Sequence, residues 1–319
     1  MRRIPSLLTV SAAMALLLLA LAGYAGRWSA ALDIVSAFRL HLAALAGVFV
    51  VIAGLGKRRW TAGLALLAML VAAAGLGPIV SPAQRSGAFG SGGDRTLSVL
   101  YANLWNHNSD PLALAAALSA ADADILITSE TTGDVADGIG GPRKHYPFWQ
   151  AGRVGEATLR TAIWSKYPLL GGQLYLNNNV APTAASTIAD LGGGLHLGLI
   201  GAHFSRANEG LRQVQTDALG PMAAQLARPM IIAGDFNAPP WSWVVTRALE
   251  VTGTRIVGGH RITWKGEYPT PFGPIPAPWG HQIDHILLSE KIIVESIETL
   301  ELPGSDHRGL FVRLRISVP

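Results

Sequence analysis

The sequence predicts a domain of α+β type, or a two-sheet sandwich with helices outside, mounted behind an N-terminal region of apolar helices. Apolar runs of strand length recur between residues 95 and 319, with helical patches between some of them and no strict alternation. That is the pattern of sheets flanked by helices. The runs end on polar residues, so chemistry is delivered at strand mouths. Half of the 319 residues are hydrophobic and only 14% are charged, an excess that belongs to the first 80 residues and marks them as a different environment from the rest.

Taken in order, Ile4–Gly26 holds no charge over 23 residues and Trp60–Gln84 none over 25, each long enough to cross a ~30 Å hydrocarbon core. Leu40–Gly56, 17 uncharged residues including His41, is the shorter candidate. We read three membrane helices within residues 1–80, over about 4–26, 40–56 and 60–80, with Ala43, Ala44, Gly47, Ala53 and Gly54 allowing close approach. A cleaved signal peptide is the alternative for the first run, and the further apolar stretches behind it argue against that. Arg2, Arg3 and Lys57-Arg58-Arg59 belong on the cytoplasmic side. Three crossings then place the C-terminal domain on the extracytoplasmic, periplasmic side of an inner or plasma membrane, whereas two would place it inside. The lipid bilayer is thus the expected partner of the N-terminal helices, and no protein partner is legible. Residues 81–94, rich in Gly, Ser and Pro, read as a linker.

The net charge of +4 divides unevenly: residues 1–94 hold 8 Lys/Arg against 2 Asp/Glu, and residues 95–319 hold 17 against 19. Basicity therefore belongs to the membrane flanks, and the domain lacks the broad positive surface of a non-specific nucleic-acid binder. The absence of cysteine excludes disulfides and thiolate metal sites.

Within residues 95–319, Thr96–Leu104 reads as a strand, and Asp110-Pro111 supplies an N-cap and first-turn proline for a helix over Leu112–Ala121. Strands follow at Ile125–Thr128, Thr161–Ser165, Ala184–Ala189 and Leu195–Ala202, then a helix over about Glu209–Leu226. Met230–Ala233 is a buried strand that runs into Gly234-Asp235-Phe236-Asn237 and is stopped by Pro239-Pro240. Trp241–Leu249 looks helical, and Ile283–Leu288, Ile292–Leu300 and Leu310–Ile316 look like strands.

The polar residues that close these runs are, in order, Asn103, Glu130, His203, Asp235 with Asn237, Asp284, and Asp306 with His307. Any one alone is more often a turn, a cap or a solvated charge. As a set they bring together groups able to hold a cation, to act as a base and to donate a proton to a leaving oxygen. A hard cation prefers carboxylate and amide oxygens, and an imidazole held by a carboxylate keeps a defined tautomer.

In this order the residues resemble the endonuclease/exonuclease/phosphatase superfamily, with GDFN and the terminal GSDH as the most specific parts, Arg206, Arg212-Gln213 and Ile163–Pro168 adding to them. The resemblance covers residues 95–319. It implies a four-layered α/β sandwich of two packed mixed β-sheets with helices outside, hydrolysing phosphate esters with Mg²⁺ or Mn²⁺. It implies Glu130 as principal metal ligand with Asn103 and Asp306 nearby, Asp235 as the group activating water, and Asn237 orienting water and phosphate. His307 paired with Asp284, and His203 opposite, are implied to neutralise or protonate oxygens. Trp105 stands where some members carry an acidic residue.

The segment Trp264–Trp279, with five prolines and four aromatics, reads as a packed loop or as an apolar rim. The function expected is a membrane-anchored phosphodiesterase acting on a lipid head group, a nucleic acid or a small phosphoester. An extracytoplasmic nuclease and a catalytically inactive membrane scaffold are the alternatives.

Overall fold

The computed structural model describes residues 4–77, 94–140, 145–154, 158–175, 183–205, 209–268, 272–277 and 280–316. Arg2, Arg3, Arg206, Trp279 and all of the linker but Asp94 lie outside them. The apolar region forms α1 (Ile4–Ala22), α2 (Ala30–Ser36), α3 (Arg39–Leu55) and α4 (Arg59–Ala74). The three longer helices have 19, 17 and 16 residues, about 28, 25 and 24 Å at ~1.5 Å per residue. The 17 residues of α3 match the uncharged run Leu40–Gly56 to within one position, whereas α1 and α4 are shorter than theirs because Gly23 and Gly75 sit where they stop. No single helix among the described residues is long and apolar enough to cross a membrane, while α2 and α3 together satisfy length and composition across a 58° bend. The helices pack on Leu16, Leu17, Ala46 and Ala68 and leave Leu7, Leu18, Val51, Leu55 and Leu70 exposed.

Two six-stranded mixed sheets follow. One is ordered β13-β14-β1-β2-β4-β3 and the other β5-β6-β7-β8-β12-β9. The first contains β1 (Arg95–Asn103), β2 (Ile125–Ser129), β3 (Phe148–Val154), β4 (Thr158–Ser165), β13 (Ile292–Glu301) and β14 (Arg308–Ile316). The second contains β5 (Leu169–Tyr175), β6 (Thr183–Asp190), β7 (His196–His203), β8 (Met230–Asp235), β9 (Arg255–Ile256) and β12 (Asp284–Leu288). A small ribbon of β10 (Glu267–Tyr268) and β11 (Ile275–Pro276) stands apart. Each large sheet has one parallel pair, β1 with β2 and β7 with β8, and is otherwise antiparallel.

A parallel pair needs a crossover, supplied by α5 (Pro111–Ala120) in the first sheet and α7 (Glu209–Ala224) in the second. Asp110 caps α5 by accepting the Ala113 N–H at 3.1 Å, as its position before Pro111 predicts. With α6 (Gly133–Gly140), α5 covers the outer face of the first sheet over Leu100, Leu126 and Trp164. With α8 (Trp243–Thr252), capped by Ser242, α7 covers the second over Ile200, Ile232 and Leu287. Between the sheets lies an apolar core that includes Leu97, Val99, Tyr101, Ile127, Leu197, Leu199, Ile231, Ala233, Ile286 and Leu288. The four layers expected from the resemblance are therefore present. The edge strands β3 and β5 and the short helices α2 and α6 were not legible, since FWQAGRV and LLGGQLY lack the apolar run or alternation that marks a half-buried strand.

Candidate active site

Side chains alternate along a strand, and that parity builds the site. Leu97, Val99 and Tyr101 face the core between the sheets, so Asn103 emerges at its rim; Ile231 and Ala233 bring Asp235 there, Leu197 and Leu199 bring His203, and Leu288 and Ile286 bring Asp284. His203 is the register partner of Asp235 on one side and Asp284 is its partner on the other. Four site residues from four strands thus prolong the inter-sheet core into one polar rim. Gly234 allows this approach, because a Cβ there would collide with the Ala202 carbonyl oxygen on β7.

Asn103, fully buried, donates from Nδ2 to Glu130 Oε1 at 3.1 Å and to Asp235 Oδ2 at 3.0 Å, so it joins the two sheets. Its Oδ1 accepts the Trp105 N–H at 3.0 Å. Glu130 lies just past β2 with φ +54° and takes the Asn106 N–H on Oε2 at 3.1 Å. His203 Nε2 stands 3.6 Å from Glu130 Oε1 and 3.7 Å from Asp235 Oδ2. Burial alone lifts the Glu130 carboxyl, but His203 and the hydrogen bonds from Asn106 and Asn103 bring it below its ordinary value.

Opposite, Asp284 Oδ2 pairs with His307 Nδ1 at 2.8 Å, and both residues are buried. His307 Nε2 lies 3.9 Å from Asp235 Oδ2 and 3.8 Å from Asp306 Oδ1. Burial, then the neighbouring Asp284 carboxylate, push Asp235 up to about 6. Burial works against the imidazolium of His307, but Asp284 first, then Asp235 and Asp306, raise it to about 9. The rim therefore sets a carboxylate shifted toward holding a proton beside an imidazole whose carboxylate neighbours favour its charged form.

Asn237 departs from the extended tip that its spacing predicts. Its φ is +48°, its N–H closes on Asp235 Oδ1 at 2.8 Å, and Nδ2 donates to the Phe204 carbonyl at 2.8 Å. The turn fixes the Asp235 carboxylate and brings Asn237 to the same rim. Among the described residues six non-glycine residues have positive φ, and Trp105, Glu130 and Asn237 flank this site, a concentration of strain where function is built.

Sequence reasoning missed the supports. Thr263 Oγ1 accepts the Ile283 and Asp284 N–H groups at 3.1 Å each, and Ser305 Oγ donates to the Asn103 carbonyl at 2.9 Å. Trp264, in the segment read as a packed loop or an apolar rim, is buried as the packed loop requires and donates from Nε1 to Asp306 Oδ2 at 2.9 Å. Within the same segment Phe272, 99% exposed, and Ile275 do face outward. Thr and Ser give no sequence signal of this kind, since they support active sites and ordinary turns alike.

The carboxylates, amide and imidazoles offer a divalent cation two sets of three donors, Glu130 with His203 and Asp235, and Asp235 with Asp284 and His307, each within 4.8 Å. Asp306 belongs to neither set, but its Oδ1 is buried without a hydrogen-bond partner. Asp284 Oδ1, inside the second set, is likewise buried without a hydrogen-bond partner, and an oxygen-rich donor set with such an oxygen fits a hard cation.

The chain belongs to the Endonuclease/Exonuclease/phosphatase family, whose profile matches residues 100–307. No curated protein matches the chain. Solved structures share its fold. A family protein from Bacteroides thetaiotaomicron is 15% identical with a TM-score of 0.55, over 71% of this chain and 100% of that one. Sphingomyelinase C from Streptomyces griseocarneus is 15% identical at 0.53, over 69% and 99%. A beta toxin double mutant from Staphylococcus aureus, with bound magnesium ions, is 15% identical at 0.53, over 70% and 100%. At family level the chain is a hydrolase of phosphate esters.

Proposed function

We propose that the protein is a membrane-anchored, divalent-cation-dependent phosphodiesterase in which water attacks phosphorus in line. The observation that carries this reading is the convergence of Asn103, Glu130, His203, Asp235, Asn237, Asp284 and His307 from both sheets on one rim. Asp235 takes the proton of the attacking water, and Asn237 orients water and phosphate. His203 and the Asp284-held His307 place positive charge and a proton against the phosphate oxygens. Glu130 and Asp306 would hold Mg²⁺ or Mn²⁺, which would supply charge against the non-bridging oxygens; Asn103, expected beside them as a ligand, instead turns Nδ2 to the Glu130 and Asp235 carboxylates and positions them. An inactive scaffold would be expected to lack several of these groups. The 17-to-19 charge balance of residues 95–319 disfavours a polynucleotide substrate.

Two features support the anchor and its sidedness. The bundle helices carry exposed apolar side chains, among them Leu7, Leu18, Val51, Ile52 and Leu70, more than an aqueous surface tolerates. At one end of the bundle Arg58 Nη1 donates to Thr9 Oγ1 at 3.0 Å, and basic residues cluster there. At the other end Arg39 donates to the Gly23 and Gly75 carbonyls at 3.0 and 3.1 Å, and α2 meets the catalytic domain. Asp33 Oδ2 on α2 pairs with Arg212 Nη2 at 3.3 Å, Asp33 Oδ1 accepts the Trp243 N–H at 2.6 Å, and Trp241 Nε1 donates to the Ser36 carbonyl at 2.6 Å. The loop after the first span and the domain after the third then share a side, as three crossings with a basic cytoplasmic end require.

The test is hydrolysis of bis(p-nitrophenyl) phosphate by the full chain in detergent, with Mg²⁺ or with chelator. Turnover is expected to vanish with chelator and to fall by at least about 100-fold in Glu130→Gln. Turnover that survives both treatments overturns the reading.

A further inference from the structure

A cavity of about 330 Å³ opens near the catalytic rim, in the seam between α3 and the domain. Leu40 and Ala44 of α3 form one wall, Pro239 and Trp241 a second, and Ile262 and His281 a third. Pro239 lies two residues beyond Asn237, and Gln282, also on the lining, lies two before Asp284. At ~3.8 Å between successive Cα atoms, neither can be more than ~7.6 Å from its catalytic neighbour. The His281 ring stacks on Trp264 at 5.9 Å between centroids, and Trp264 holds Asp306. Two stacked rings, His281 and Trp264, therefore link the cavity wall to that carboxylate.

The other end of the cavity runs onto the bundle. Leu40, Ala44, Val48 and Ile52 recur every four residues on one face of α3, and Val48 and Ile52 are 53% and 61% exposed. An apolar stripe thus leads from the outer surface of the bundle into the cavity. Burial disfavours charge on the domain's histidines in the lining, holding His281 down to about 4 and lowering His260 as well.

We propose that this cavity receives the hydrocarbon chain of a lipid phosphoester whose phosphate lies among His203, Asp235 and His307, so that the substrate class is a bilayer amphiphile. The inference rests on the phosphodiesterase reading for the position of the phosphate. Its separate content is the chain site. The volume falls in the range of ligand pockets, ~300–1,000 Å³, and each methylene taken from water strengthens binding by about fourfold.

The test uses the full chain in detergent and two probes, ethyl phosphate and decyl phosphate, with affinities measured by calorimetry and hydrolysis of bis(p-nitrophenyl) phosphate followed in parallel. Wild type is expected to prefer the decyl ester by at least about tenfold. Ala44→Phe, which fills the cavity from α3, should cut that preference below about twofold, and Leu40→Ala, which removes part of its wall, should weaken it by about threefold or more. Melting temperatures close to wild type show that the variants fold. No preference for the decyl ester in wild type, or the same preference in both variants, overturns the chain site whether or not the diester is hydrolysed. A preference that responds to both variants in a protein that never hydrolyses the diester upholds the chain site and overturns the phosphodiesterase reading.

Discussion

His285 sits beside Asp284 on β12 and points away from the rim, where its Nε2–H donates to the Ala238 carbonyl at 2.7 Å and its Nδ1 is buried without a partner. Burial lowers it to about 4, against a smaller opposing effect of that carbonyl. An unfolded histidine takes its proton near ~6.5, so between there and about 4 the unfolded chain binds more protons than the folded one. Stability is present above ~6.5 and lost as pH falls, by at most about 1.4 kcal/mol per pH unit for this residue. Melting in detergent at about pH 7 and about pH 5 should show His285→Gln, which keeps a donor for Ala238, losing less stability on acidification than wild type by about 2 kcal/mol. Equal losses would show that His285 does not remain neutral in the fold. At this scale Asn103, His203 and Asp235 were legible because each closes an apolar run with the right parity, and Asp284 because it opens one with the same parity. Thr263, Ser305 and Trp264 were not, because what they do depends on partners at least 20 residues away.

Among the elements, strands with inter-sheet faces were legible from their apolar runs, whereas α2 was not. A lone Asp33 in a loop of one basic and one acidic residue before Arg39 reads as solvated, and only tertiary structure buries it against Arg212. Both side chains of the pair are at most 3% exposed, and removing one partner of a buried pair costs about 3–5 kcal/mol. Asp33→Ala should therefore release α2, with hydrogen exchange at Ala30–Ser36 accelerated by at least about tenfold. Asp33→Asn, which still accepts the Trp243 N–H, should fall between. Unchanged exchange in the alanine variant would mean that the Trp241 contact alone seats the helix.

For the whole molecule, the division of charge and apolar runs between residues 1–80 and 95–319 was plain in the sequence, and so was the extent of α3, while the lengths of α1 and α4 were not, since Gly23 and Gly75 end them inside uncharged stretches. The proposed sidedness is checked by fusing to Pro319 a reporter that is active only outside the cytoplasm. Activity is expected, and a reporter active only inside would overturn the three-crossing arrangement. The seat of α2 on the domain has one more consequence for a protein anchored in this way. A domain tied by its chain alone would sample the surrounding water in every orientation. Held also through Asp33 and Trp241, it keeps its rim at a fixed height and angle over the bundle, and its encounters become a search in two dimensions. Turnover would then follow the mole fraction of substrate within the bilayer, and diluting the same substrate with inert lipid would slow the enzyme while its amount in the sample stayed constant.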